Sequence, residues 1–253
     1  MVLFKYSLNI LKKSTPCGIS AIMAKVVDIN NHDLQHVVAL ATQSLKAGNI
    51  IAVPTDTIYG VAGLAQRNDA TSRIYQLKNR DLKKPIAISV ADIDDVYKWG
   101  HVTVSRELLT ELLPGPVTVV FRRKDELSPS LNPDVHLIGI RIPDQQFIRS
   151  LARACQEPIA LTSANISSAP STVSVEEFSE LWPMLDLVVD GGMLGNTTES
   201  RQGSTVVDLS QTGVYRIIRD GSALRPTSDL LERHGLKNGK MLDSSVDAAG
   251  TER

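Results

Sequence analysis

The sequence predicts an α/β protein, a single domain in which a twisted, mixed sheet is covered by helices. Three observations carry that reading. From about residue 26, β-branched apolar runs alternate with amphipathic segments; most of the runs lack a polar face; and the last two lie close enough for a hairpin. A run that is apolar throughout is what a strand buried on both faces requires, and the helices between the runs supply the cover.

Taken in order, Leu34, Val37, Val38, Ala41 and Leu45 recur at helical spacing and stop at Gly48, a good C-terminal signal. Residues 50–53 follow as a strand, and the short "GVAG" of residues 60–63 reads as a turn. Residues 69–78 predict a helix, 86–90 a strand, 105–112 a helix, and 117–121 and 137–142 two strands. A helix over 145–154, a strand over 158–162 and a helix over 175–181 come next. The final strands are 187–190, 204–209 and 214–219, the last two joined through "SQTG" as an antiparallel hairpin, which makes the sheet mixed. No repeat is present and no Pro/Gly/Ser linker divides the middle, so one domain spans residues 26–235. The small, polar residues 236–253 read as a disordered tail.

Charge narrows the function classes. With 27 Lys and Arg against 28 Asp and Glu, the net charge is -1 and the pI near 6.5, so no global field draws the chain to nucleic acid or anionic membrane. Any anion site must be local. Cys17 and Cys155 have neither disulfide nor zinc spacing, which fits a reducing compartment and makes the "NIS" and "NTT" glycosylation triplets chance matches. No apolar run approaches the roughly 20 residues of a membrane-spanning helix, so no integral span is expected. The first 27 residues carry Lys5, Lys12, Lys13 and Lys25 and no acid, the pattern of a mitochondrial presequence over residues 1–25 except that arginine is absent. Met23 offers a second start, so both cytoplasmic and mitochondrial forms are expected.

The sequence contains no Walker phosphate loop and no dinucleotide-binding glycine motif, and none of its five histidines stands beside an elbow-type serine. Polar clusters recur instead where strands end, the usual ligand side of an open α/β sheet. "PTDTIYG" closes the first strand; its hydroxyls suit a small polar substrate, and a turn satisfied by Asp56 and the threonines is an equal reading. In "LKNRDLKKP", Lys83 and Lys84 read as solvent charges at a helix C-terminus, whereas Lys78 and Arg80 can reach one polyphosphate. Arg141 sits in the apolar strand "GIRIP", where an unpaired charge costs several kcal/mol; its partner is a structural carboxylate or, the favoured reading, a ligand anion. "LTSANISS" ends a strand with groups that bind phosphate oxygens or cap a helix, and "GSTVVD" and "IIRDG" repeat the arrangement.

With these segments in order, the chain resembles the YrdC family of threonylcarbamoyl-AMP synthases from about residue 26 to 223. The marks are "PTDTIYG", "KNR" followed by "KP", "PGPVTVVF", "GIRIPD", "PIALTSANIS", "DGG", "GSTVVDL" and "IIRDG". The resemblance, to the short single-domain animal form, implies a YrdC-like fold with a concave ligand site. It implies condensation of L-threonine, bicarbonate or CO2 and ATP, with Mg2+ accompanying the ATP, to threonylcarbamoyl-AMP and pyrophosphate. A downstream transferase complex, of KEOPS type or its mitochondrial counterpart, would then modify adenosine beside the anticodon of ANN-reading tRNAs.

The family's lysine-x-arginine and serine-x-asparagine fall on Lys78, Arg80, Ser163 and Asn165, implied as catalytic and ATP-binding. By the same matching, Thr55, Thr57, Tyr59, Arg141, Thr162 and Thr205 are implied around threonine, and Ser171 and Arg219 around ATP. One departure stands out: Arg219-Asp220-Gly221 replaces the family's arginine-proline-glycine, harmless if Asp220 points outward. Similar domains in hydrogenase-maturation proteins use carbamoyl phosphate, but in longer chains with acylphosphatase and zinc-finger segments. A non-catalytic module for tRNA or other double-stranded RNA is the alternative class; near-zero net charge and 4% aromatic residues count against it.

Overall fold

The computed structural model describes residues 24–78, 85–166 and 169–239. Along the chain these give β1 (Lys25–Asp28), α1 (Leu34–Lys46), β2 (Ile51–Val53), β3 (Gly60–Leu64), α2 (Asn68–Leu77), β4 (Ala87–Ser89), α3 (Ile93–Trp99), β5 (Gly100–His101) and α4 (Arg106–Leu112). There follow β6 (Val117–Arg123), β7 (Leu137–Arg141), α5 (Gln146–Cys155), β8 (Ile159–Ser163), a 3-10 segment (Glu176–Met184), β9 (Leu187–Asp190), β10 (Thr205–Asp208), β11 (Val214–Arg219), α6 (Leu224–Arg233) and β12 (Lys237–Asn238).

The strands form one mixed sheet in the order β1-β9-β2-β3-β8-β4-β7-β6-β10-β11-β12, with β5 beside β6. Alternation along each strand feeds two apolar layers. Ala52, Val61 and Val188 point into one, together with Ile74 of α2, Leu108 of α4 and Leu231 of α6. Ile51, Ala62 and Val189 point into the other, where Val37, Val38 and Ala41 of α1 meet Phe147, Ile148 and Leu151 of α5. Both faces are therefore covered, which is why the strands read as uninterrupted apolar runs. Helix starts follow local chemistry: Asp33 accepts from the His36 amide at 3.1 Å, and Ser105 from that of Leu108 at 3.2 Å.

The mixed sheet and the antiparallel β10–β11 pair match the sequence reading. Several details differ, the unexpected short strands β1, β5 and β12 among them. The "GVAG" expected as a turn is the start of β3, buried throughout and paired with both β2 and β8. The helix expected at 175–181 is 3-10, because Phe178 leaves helical geometry and Pro183 removes a donor. Helices α3 and α6 were not expected. Lys237 and Asn238, expected in the tail, pair with β11. The rest of the expected tail, after Gly239, and the expected presequence apart from Ala24 and Lys25 lie outside the described residues.

Candidate active site

Helix α2 ends at Leu77 and delivers Lys78 as its C-cap, with only 2% of the residue exposed. The Lys78 ammonium donates to the Ser163 carbonyl at 2.8 Å, to Asn165 Oδ1 at 2.6 Å and to the Asn165 carbonyl, with Ser163 Oγ at 3.4 Å. Ser163 Oγ in turn donates to Asn165 Oδ1 at 2.5 Å, and the Asn165 amide nitrogen to the Ala169 carbonyl. Three of the four residues of the implied tetrad thus surround one buried charge. Away from bulk water, such a charge acts on a neighbouring anion with little dielectric loss. Arg80, the fourth, lies outside the described residues, as do Lys83 and Lys84.

The register of the sheet sets this cluster beside the loop that follows β2. Ser163 of β8 pairs with Gly60 of β3, which pairs with Val53 of β2. The Ala164 amide donates to the Tyr59 carbonyl at 2.9 Å and the Tyr59 amide to the Thr172 carbonyl at 2.9 Å. Residues 54–59 are therefore one wall shared by two clusters.

The second cluster centres on Arg141, the last residue of β7, whose side chain is 8% exposed. Nη1 donates to Thr57 Oγ1 at 3.1 Å, Nη2 donates to Asp56 Oδ1, and Nε is buried with no partner. Asp56 Oδ2 accepts from the Asp144 amide at 2.9 Å. Burial pushes the Arg141 pKa down from its ordinary value; Asp56 works against that shift and the nearby charge of Arg219 adds to it. Of the two partners left open for Arg141, the structural carboxylate is present and is Asp56. That is the reading the sequence had not favoured, and the Nε–H is buried without an acceptor.

Arg219 ends β11, exposed, and donates to the Ser204 carbonyl (2.7 Å from Nη2, 3.2 Å from Nε) and to Ser204 Oγ at 3.0 Å. Ser204 Oγ also meets Thr118 Oγ1 at 2.8 Å. A Cβ on Gly221 would lie 2.3 Å from the Ser204 carbonyl carbon and the Thr205 nitrogen, so only glycine lets the chain turn back here. Asp220 is exposed. A Cβ on Gly203 would sit 3.4 Å from Ile58 and 3.7 Å from Arg219 Nη2, which places Arg219 by the same 54–59 wall.

The remaining expected residues divide. Thr55 Oγ1 accepts from the Thr57 and Ile58 amides at 3.1 and 3.2 Å and donates to the Ile58 carbonyl at 2.7 Å. Its hydroxyl is thus committed to the loop, and the 3.1 Å contact with Thr57 Oγ1 takes the Thr57 proton. Thr57, also accepting from Arg141, keeps a lone pair. Thr205 is fully buried and accepts from the Ala223 amide at 3.2 Å. Thr162 is half-buried on β8 opposite Val61. Ser171 is half-buried and its carbonyl accepts from Arg201 Nη1 at 2.8 Å.

The Tyr59 hydroxyl is committed to a neighbouring turn. The residue is fully buried, and its hydroxyl donates to the Gly192 carbonyl at 2.7 Å and accepts from the Gly191 amide at 2.9 Å, with Asp190 Oδ1 at 3.3 Å. It braces the "DGG" turn, and burial pushes its pKa up. Asp56 and Ser204 are the residues that the site uses and the sequence reading did not assign. The signal for Asp56 was there: a buried arginine needs a carboxylate, and "PTDT" holds one.

The sequence profile of the Sua5/YciO/YrdC family, described as telomere recombination, matches residues 43–221. The threonylcarbamoyl-AMP synthase of Bos taurus is 50% identical over 198 residues, 78% of this chain and 72% of the bovine protein. That of Mus musculus is 51% identical over 199 residues, 78% of this chain and 71% of its own. Among solved structures, P. abyssi Sua5 complexed with L-threonine superposes with a TM-score of 0.73 at 23% identity, a likeness of fold. It covers 84% of this chain, which spans 62% of the archaeal one.

Proposed function

The chain belongs to the Sua5/YciO/YrdC family, and from that membership we infer that it is a threonylcarbamoyl-AMP synthase, an enzyme that joins L-threonine, CO2 or bicarbonate and ATP. One geometric observation supports the reading above the rest: the family's lysine, serine and asparagine gather around a single buried ammonium, Lys78 Nζ. The non-catalytic RNA module is not favoured.

In the proposed reaction the threonine amine, once neutral, forms a C–N bond to CO2 and loses a proton, giving a carbamate. A carbamate oxygen then bonds to the α-phosphorus of ATP, and the bond to the β-phosphate oxygen breaks to release pyrophosphate. Arg141 pairs with the threonine carboxylate while Thr57 offers a lone pair to its amine. Lys78 and Arg80 neutralise charge building on the phosphoryl oxygens, Ser163 and Asn165 hold Lys78 in place, and Arg219 meets the triphosphate. Holding threonine beside the α-phosphate also shields the short-lived carbamate from water.

Mg2+ would supply further charge neutralisation on the phosphates. Among the described residues no three His, Cys, Asp or Glu gather as a metal cage. The product would go to a transferase acting on tRNA, and the lysine-bearing, acid-free N-terminal segment supports a division between mitochondria and cytoplasm. Mature N-termini from the two fractions would test that division.

The function is tested by pyrophosphate release with ATP, Mg2+ and bicarbonate, comparing L-threonine with L-serine, L-valine and no amino acid. Threonine-dependent release, with the adenylate identified by mass, is the expected outcome. Folded protein that releases none would overturn the reading.

A further inference from the structure

Asp56 does more than close a turn. Its two carboxylate oxygens join parts of the chain far apart in sequence: one accepts from Arg141 at the end of β7, the other from the Asp144 amide just before α5. Its own loop also carries Thr57, the second partner of Arg141. The carboxylate is 10% exposed and the arginine side chain 8%, so the pair is shielded from the solvent that weakens surface ion pairs. A guanidinium has five N–H donors in a fixed plane. With Nη2 held by Asp56 and Nη1 by Thr57, rotation about the side chain is blocked and Nε–H is left buried without an acceptor. The second N–H of each Nη nitrogen is not used by these two bonds and is what a substrate carboxylate can meet.

We propose that Asp56 is a positioning residue for amino-acid recognition, clamping the Arg141 guanidinium so that its remaining N–H groups face the substrate carboxylate as a rigid donor set. The proposal rests on the threonine-dependent reading above. A carboxylate substrate and Asp56 then share one arginine, and Arg219 adds a second positive charge nearby that offsets their mutual repulsion. The clamp also explains why the loop reads Thr-Asp-Thr. Thr57 and Asp56 hold two nitrogens of one guanidinium, and Thr55 holds the backbone that presents them.

The test uses the full chain with Asp56→Asn and Asp56→Ala. Asparagine keeps the shape and an acceptor for the Asp144 amide but removes the charge. The expected result is a KM for threonine raised about tenfold or more in both variants, with the KM for ATP within about twofold of the parent. A second readout does not depend on turnover: the 15N guanidinium signal of Arg141, assigned by its loss in Arg141→Lys, should exchange slowly in the parent and be motionally averaged in Asp56→Asn. Unchanged threonine KM and an unchanged Arg141 signal would overturn the proposal. So would equal rises in both KM values together with a general loss of melting temperature, the mark of a merely structural pair. If the parent itself shows no threonine dependence, the functional reading fails instead, and the Arg141 signal still decides whether Asp56 clamps it.

Discussion

A single side chain decides whether charge is available where the phosphoryl group would react. Lys78 is buried among oxygens of Ser163 and Asn165, and its replacement by methionine keeps the stem but removes the ammonium. Turnover should fall by a factor on the order of 10² to 10³, in line with loss of one preorganised donor to a developing oxyanion, on top of a stability loss of about 1–3 kcal/mol as the buried oxygens of Ser163 and Asn165 lose their donor. Normal turnover in folded Lys78→Met would remove Lys78 from the mechanism. Tyr59→Phe should lose stability alone. Its lost hydroxyl leaves the Gly191 amide and Gly192 carbonyl without their partner, costing about 1–3 kcal/mol in urea unfolding, with little change in threonine KM. A threonine KM that rose while stability held would restore Tyr59 to the substrate wall. The contrast shows how far residues could be read from sequence. Lys78, Ser163 and Asn165 were picked out by the family resemblance, and their convergence follows the sheet register. Tyr59 was not, because a tyrosine in a polar motif gives no sign of whether its hydroxyl meets a ligand or a neighbouring backbone turn.

Strand order, more than any single strand, makes the site, and one strand built largely of glycine and alanine was not shown by the sequence. β3 is Gly-Val-Ala-Gly-Leu, a composition that resembles a turn, yet it is the strand between β2 and β8 that sets Ser163 beside the 54–59 wall. Its glycines are small for a packing reason: a Cβ on Gly63 would approach Ile74 of α2 at 3.1 Å and Ile50 at 3.2 Å. By contrast the apolar runs of β6, β7 and β9 were legible because burial on both faces leaves no polar alternation. Helices α3 and α6 were missed for other reasons: α3 buries only Val96 and Trp99, too few for a visible apolar stripe, and α6 carries Pro226 in its first turn. The turn between β11 and α6 gives a test at this scale. Gly221→Ala would drive a methyl into the Ser204–Thr205 peptide, so the segments carrying Ser204 and Arg219 must separate. Stability should drop by about 1–3 kcal/mol, the usual cost of overpacking, and the KM for ATP should rise more than that for threonine. A Gly221→Ala variant with parental stability and ATP affinity would mean that this close approach is not required.

Across the whole molecule, the two-layer packing that covers both sheet faces also determines how stability responds to alkali. Cys155 closes α5 against the layer shared with α1; burial pushes its thiol from an ordinary value of 9.0 up to about 11. Burial pushes Tyr59 up as well, on the opposite layer. For both groups the neutral, protonated form is the one the folded state prefers. Between the unfolded and folded pKa the native state therefore holds more protons than the unfolded chain, and by linkage its stability falls as pH rises. The fall from Cys155 should begin near pH 9 and level off near pH 11, amounting to something on the order of 2 kcal/mol. Tyr59 starts later, from its ordinary 10.0, so the first part of the decline belongs to the thiol. Urea unfolding in reductant at pH 8, 9, 10 and 11 separates the two: Cys155→Ala should lower stability at pH 8 through the lost packing yet flatten the slope between 9 and 10. A variant with the same slope as the parent would show that the thiol does not titrate differently on folding. The same burial keeps Cys155 mostly as thiol at neutral pH, so it should resist alkylation in native protein and react once urea opens the α1–α5 layer.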